Sequence, residues 1–153
     1  MSTSNTVKLK KYQDINMEFV ANAAITPGHL VELMSTNKVK VHTTESGNAL
    51  PKMFALEDEL QGKEIDDDYA ADDRVQVWVC QPGEVVNALL KDGETIVIGD
   101  ALESAGDGTL QKVAADSTGV YYYNQIVGIA LEALDLSGSS GEESTSRLAV
   151  MIV

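Results

Sequence analysis

The chain has 153 residues, and only three of them are histidine or cysteine. A Ser-His-Asp triad needs a histidine held between a hydroxyl and a carboxylate. His29 directly follows a Pro-Gly turn, and His42 lies on the polar face of an alternating segment. Both are therefore predicted to be turn or surface residues without a catalytic role.

Cys80 ends the apolar run Val77-Trp78-Val79. A nucleophilic cysteine needs a nearby base, and no pattern in the sequence brings either histidine to it. A single cysteine also excludes an intramolecular disulfide and a zinc site built on cysteine pairs. We therefore predict that Cys80 is a small buried core residue.

An acidic segment, residues 58–73, contains Asp66-Asp67-Asp68 and Asp72-Asp73. Clustered carboxylates suit a hard cation such as Ca²⁺, but the spacing matches no EF-hand loop. A solvated acidic loop is the simpler interpretation. The sequence leaves both open.

Phosphate and nucleic-acid chemistry have little support. No GxxxxGK[ST] motif is present, and the glycines between Gly99 and Gly108 are predicted to form turns. The formal net charge of −13 argues against a nucleic-acid partner, because phosphate binding needs clustered lysine and arginine. No apolar run approaches a membrane span, and no signal peptide is expected. We predict a non-enzymatic protein without metal or cofactor.

The elements that would carry any site are short and β-rich. Apolar alternation and turn signals recur every 8–12 residues, which predicts an all-β barrel or sandwich of about ten short strands. The clearest strand is 74–80, with Val75, Val77 and Val79 on one face. Asp92-Gly93 predicts a hairpin between the segments 85–90 and 95–98.

The N-terminal residues 1–15 are polar and lack periodicity, so they are predicted to form a flexible arm ahead of a single β-barrel domain, 16–153. The segment 25–33 also resembles 80–89, since both place Pro-Gly before an apolar run. Two similar turns explain this echo, and so does a duplicated half-barrel.

Three segments of the second half resemble tailed-phage capsid decoration (head cement) proteins. They are Ile98–Lys112 with its glycine turn, Val127–Asp135, and the closing Arg147–Val153 after a Ser/Gly-rich loop. The resemblance covers residues 17–153. It implies a small β-barrel that forms a homotrimer and binds the major capsid protein at local three-fold positions, stabilising the head against the pressure of packaged DNA.

The same resemblance implies that terminal arms reach between neighbours. In this chain that role would fall on the N-terminal arm, whose candidate capsid-contact residues are Lys8, Lys10, Lys11 and Tyr12. The protein would be made in the host cytoplasm and located on the capsid exterior, with no nucleic-acid or membrane partner.

Alternative functions remain. One is a receptor- or glycan-binding β-module of a phage fibre. Another is a trimeric β-barrel hydrolase of the dUTPase kind, although 121–128 matches a nucleotide loop only loosely and the acidic and serine motifs of that class are missing. A stand-alone acidic β-domain is the third.

Overall fold

A computed structural model of the chain describes residues 4–114, 118–138, 141 and 145–153. Within these residues the regular secondary structure is all β, as predicted, apart from one short 3₁₀ turn at Glu59–Gln61. The strands are β1 Lys8–Lys10, β2 Asn16–Ala21, β3 Leu30–Leu33, β4 Lys38–Val41, β5 Met53–Ala55, β6 Arg74–Val79, β7 Val85–Leu89, β8 Thr95–Ile96, β9 Ala101–Ser104, β10 Leu110–Lys112, β11 Ile126–Ala130, β12 Leu134–Asp135 and β13 Arg147–Ile152.

Strands β2 to β6 form a closed barrel in the order β2-β4-β3-β5-β6. All of its contacts are antiparallel except β2 with β4, which is parallel. The alternation predicted for β6 is confirmed, since Val75 and Val77 are buried inside the barrel. The barrel interior consists of Ala21, Ile25, Val31, Val39, Met53, Ala55, Tyr69, Val75 and Val77, with Phe19, Val41 and Val79 packed against them.

The strands of the second half form a six-stranded sheet with the N-terminal strand β1, in the order β1-β7-β13-β11-β9-β10. A parallel bridge between Leu90, just after β7, and Leu110 of β10 joins β10 to the end of β7 and so closes the ring of β7, β13, β11, β9 and β10. Strands β7, β9, β10, β11 and β13 therefore repeat the connectivity of β2, β3, β4, β5 and β6, pair by pair. We call these two groups the first and second barrel units.

The repeat extends to individual hydrogen bonds. In the first unit the Thr26 N–H donates to His29 Nδ1 at 3.0 Å, and in the second the Val97 N–H donates to Asp100 Oδ2 at 2.9 Å. Both turns contain a glycine with positive φ, where residues with a Cβ are disfavoured. The triplet Ala55-Leu56-Glu57 also recurs as Ala130-Leu131-Glu132 at the ends of the matching strands.

The sequence similarity between residues 25–33 and 80–89 therefore does not correspond to the structural repeat. Strand pairing matches residues 25–33 with 96–104, not with 80–89. The Pro82-Gly83 turn instead connects the two units. Only the glycine of the Pro27-Gly28 turn survives in the second unit, as Gly99.

The two units share a continuous apolar core. Leu30, Phe54 and Trp78 lie on the outer face of the first barrel and are fully buried in the same cluster as Val86 and Leu148 of the second unit. The segment predicted as one barrel thus contains two barrel units packed face to face. Trp78 is buried because the second unit covers the strand face that the pattern leaves polar.

Two predicted elements differ from the structure. Residues 7–10 are not a free arm, because Val7 is fully buried and β1 pairs with β7. Segments 85–90 and 95–98 do not form a hairpin either. Strand β8 pairs with β12, because the chain after β7 turns away to build the second unit.

Candidate contact surface

Lys8 was predicted to contact the capsid, but its ammonium group is occupied within the chain. Its Nζ donates to Asp14 and, at 2.6 Å, to Asn16 Oδ1, and it lies 5.6 Å from the centroid of the Trp78 ring. The side chain is only 16% exposed. Lys8 thus fixes β1 against the first unit and has little surface left for a partner.

Lys10, Lys11 and Tyr12 are the exposed members of the predicted set. Lys11 Nζ bonds Asp14 Oδ2 at 2.5 Å, and the Tyr12 side chain is 76% exposed. Hydrogen bonds from Lys11 and Lys8 lower the pKa of Asp14 to about 2. These residues form a basic patch with a projecting aromatic ring, and their contact with a capsid stays a prediction.

A buried carboxylate holds this patch in place. Glu84 Oε1 accepts the main-chain N–H groups of Tyr12 and Gln13, each at 2.9 Å, and Oε2 accepts that of Gln81 at 2.7 Å. Three donors compensate for the burial of this fully enclosed side chain. The segment after β1 is thereby tied to the turn that joins the two barrel units.

A second exposed surface, the tyrosine loop, lies between β10 and β11 at Val120–Tyr123. Tyr121, Tyr122 and Tyr123 are exposed, the last to 82%. From the sequence, residues 121–128 were considered only as a loose match to a nucleotide loop, and Tyr121–Tyr123 were missed as a contact surface. Three consecutive tyrosines before a turn are the signal that could have indicated it, because exposed aromatic residues are typical of interfaces.

The tyrosine loop is positioned by a buried polar network. Gln125 Oε1 accepts the Tyr122 N–H at 3.1 Å, and Gln125 Nε2 donates to Glu103 Oε2 at 2.5 Å. Glu103 is fully buried and also accepts Ser46 Oγ at 2.6 Å and Gln111 Nε2 at 3.2 Å. The loop is thus anchored to the second barrel.

The histidines are more enclosed than predicted. His42 is buried. Its Nε2 lies 3.0 Å from the Asn48 carbonyl, and its Nδ1 lies 2.7 Å from Ser104 Oγ. His29 is half-buried in its turn, and burial lowers its pKa to about 4. Both rings serve local structure: His42 ties the first unit to the second, and His29 closes a turn.

Cys80 is buried in the shared core, as predicted. Burial, with the nearby Glu84 carboxylate, raises the pKa of its thiol far above the usual range. The thiol therefore stays protonated, and a thiol is a poor nucleophile.

The acidic segment is partly anchored to the body of the protein. No group of three or more histidine, cysteine or acidic side chains able to hold a metal occurs among the described residues. Three of its carboxylates have separate partners: Asp66 binds Arg147, Asp68 accepts the Thr26 hydroxyl, and Asp72 binds Lys38. Ile65 and Tyr69 of this segment are buried, so these two residues anchor it to the body.

The comparisons with known proteins identify a fold. The structure is similar to the N base of head fiber gp8.5 of bacteriophage phi29, with a TM-score of 0.57 and 15% sequence identity. The similarity covers 92% of this chain and 95% of that one, and at this identity it shows a shared fold. No family model and no curated protein matches the chain. Within the described residues, no helix has the length and apolarity to span a membrane.

Proposed function

We propose that this chain is a structural protein of a tailed-phage head that docks, as a homotrimer, on the outer surface of the assembled capsid. It would bind the major capsid protein at local three-fold positions and stabilise the head against the pressure of packaged DNA. The observation that carries this proposal is the fold shared with the N base of a phage head fiber over almost the full length of both chains.

The surface is compatible with docking. Tyrosine and arginine dominate the binding energy of many interfaces. The chain exposes Tyr12 beside Lys10 and Lys11, and separately the tyrosine loop. Both surfaces are held by buried carboxylates, so little ordering entropy would be lost on binding. A trimer that engages three capsid sites at once would gain avidity.

The proposed role needs neither a catalytic centre nor a cofactor. Binding to the assembled capsid alone stabilises it by mass action. The partners are the major capsid protein and the chain itself, without nucleic acid or membrane. The protein would be made in the host cytoplasm and occur on the virion exterior.

The test is reconstitution on heads that lack the protein. Purified chain is titrated onto such heads, occupancy is located by cryo-microscopy, and the temperature of DNA release is measured. We expect saturation at three-fold positions and a higher release temperature. Binding confined to five-fold vertices, or no binding, would contradict the proposal.

Variants locate the contact surface in the same assay. Replacing Lys10, Lys11 and Tyr12 together by alanine should weaken binding at least tenfold, because this removes two charges and an aromatic anchor. The control replaces Lys38 and Lys63, which lie on the first unit and pair with Asp72 and Asp73. It should bind as the wild type does. Equal loss in both would assign the effect to charge alone.

A second candidate is a receptor- or glycan-binding module of a phage fibre. The exposed tyrosine loop favours it, since aromatic rings stack on sugar faces. Virions imaged with the labelled protein distinguish the two functions, because the fibre module would place density at the tail. Tyr123→Ala should then abolish glycan binding.

A further inference from the structure

Strands β2 and β7 are equivalent in the two barrel units, but their exposure differs. The first three residues of β2, Asn16–Glu18, are exposed, whereas β7 is buried throughout. In the repeat, Met17 corresponds to Val86, and their exposed fractions are 45% and 0%. The same strand position is thus covered in one unit and open in the other.

The cover on β7 is β1. The Asn87 N–H donates to the Val7 carbonyl at 2.8 Å, and Lys8 pairs with Val86 in antiparallel register. Strand β1 therefore fills the part of the β7 edge that the parallel strand β10 does not reach, because β10 meets this edge only at Leu90.

Among the described residues, no such strand covers the matching edge of β2. Ile15 accepts the Val79 N–H and Ala21 donates to the Asp73 carbonyl, so the odd residues of β2 bond towards β6. By the alternation of an antiparallel ladder, the main-chain groups of Asn16 and Glu18 point to the other edge. There β4 pairs with β2 only from Val20 onward, and no strand of the described chain faces Asn16–Glu18.

We propose that this open edge of β2 binds an extended strand of a partner protein by β-strand addition. The partner segment carries an apolar residue flanked by lysine or arginine, as β1 does in Val7-Lys8-Leu9-Lys10. Two observations select a basic strand: the internal strand that fills the equivalent edge is the locally basic part of the chain, and the net charge of −13 attracts cationic segments. The inference rests on the proposed function only in placing the partner on the capsid.

A titration followed by NMR tests the edge directly. The probe is a synthetic peptide with the sequence of residues 4–13 of this chain, added to the isotope-labelled protein. We expect saturable shifts of the Asn16 and Glu18 amide signals and intermolecular contacts in antiparallel register. A peptide with both β1 lysines replaced by glutamate should bind at least tenfold more weakly.

Proline variants remove only the donors on the open edge. Glu18→Pro deletes an N–H that points away from β6, and proline is tolerated at such edge positions. It should abolish peptide binding, while Glu18→Ala, which keeps the N–H, should retain it. If Glu18→Pro does not fold, Asn16→Pro deletes the neighbouring donor of the same edge and should have the same effect.

Three results would overturn the inference. Unchanged Asn16 and Glu18 signals at millimolar peptide would overturn the inference, and so would binding that survives the proline variants. Shifts confined to Val86 and Asn87 would mean that the peptide replaces β1 on β7, which also overturns it. No capsid is used, so a failure to bind heads would contradict the proposed function without altering this result.

Discussion

Arg147 and Arg74 occupy equivalent positions in the two barrel units but have different surroundings. Arg74 is exposed and pairs with the exposed Glu18. Arg147 is buried, and its guanidinium donates to the carbonyls of Pro27 and Ile65 at 2.9 and 2.7 Å and to Asp66 Oδ1 at 2.6 Å. It joins β13 of the second unit to the turn and the acidic segment of the first. We predict that Arg147→Met destabilises the protein far more than Arg74→Met.

The magnitude follows from the groups left behind. Methionine fills the space of the arginine stem but leaves two buried carbonyls without a donor, at about 1–3 kcal/mol each. The ion pair with Asp66 contributes less than about 1 kcal/mol, because that carboxylate is mostly exposed. We expect Arg147→Met to lower the free energy of unfolding by about 4 kcal/mol and Arg74→Met by less than about 1 kcal/mol.

Urea denaturation at pH 7 measures both values. Trp78, the single tryptophan, is buried where the two units meet, so its fluorescence reports the loss of that contact. Arg147→Lys should recover little of the loss, because one ammonium cannot reproduce the fork that reaches both carbonyls. If the free energies of unfolding of the two methionine variants differed by less than about 1 kcal/mol, the Arg147 guanidinium would not be a stabilising contact between the two units.

Three further predictions concern single sites. The folded-state pKa of His29 is about 4 and its unfolded value about 6.5, so protonation favours unfolding and stability is lost as the pH falls from 6.5 to 4. His29→Asn, which keeps an acceptor for the Thr26 N–H, should reduce that loss by about 3 kcal/mol in urea titrations at pH 7 and pH 4, and parallel losses in both proteins would contradict it. Gly128→Ala places a Cβ 2.5 Å from the Met151 carbonyl oxygen, so its melting temperature should fall by several degrees, whereas Gly138→Ala, with open space at its Cβ, should melt as the wild type does. Cys80 should resist iodoacetamide at pH 8 in the native protein and react after unfolding in urea; equal labelling rates would show that the thiol is accessible.

The sequence predicts the strands better than their partners. Alternation locates β4 and β6, and the glycine turn locates β9 and β10, because a half-buried strand needs a period of two wherever it lies. The local sequence does not show which strands pair with each other. Asp92-Gly93 is a strong local signal for a hairpin, but β8 pairs with β12 because long-range packing of the second unit outweighs one turn.

The long-range contacts of the candidate contact residues could not be predicted from the sequence either. Composition identified Lys8, Lys10, Lys11 and Tyr12 as one polar cluster, but it could not show that Lys8 is enclosed by Asn16 and Trp78. That enclosure depends on the second unit covering the outer face of β6. The anchoring of the N-terminal segment by Glu84 likewise joins residues more than seventy positions apart, which no local pattern contains.

Because the two barrel units have the same strand pairing, the exposure of equivalent residues can be compared within one chain. Positions that match in the two units have the same backbone pairing, so a difference in exposure between them has a cause outside the barrel itself. Leu33 is 50% exposed where its counterpart Ser104 is fully buried, and Met17 is exposed where Val86 is not. The second unit is covered at these positions by β1 and by His42, which contacts Ser104, and the first unit is open at both. The first unit is therefore the half of the molecule whose strands leave these apolar positions exposed, in agreement with the open edge of β2.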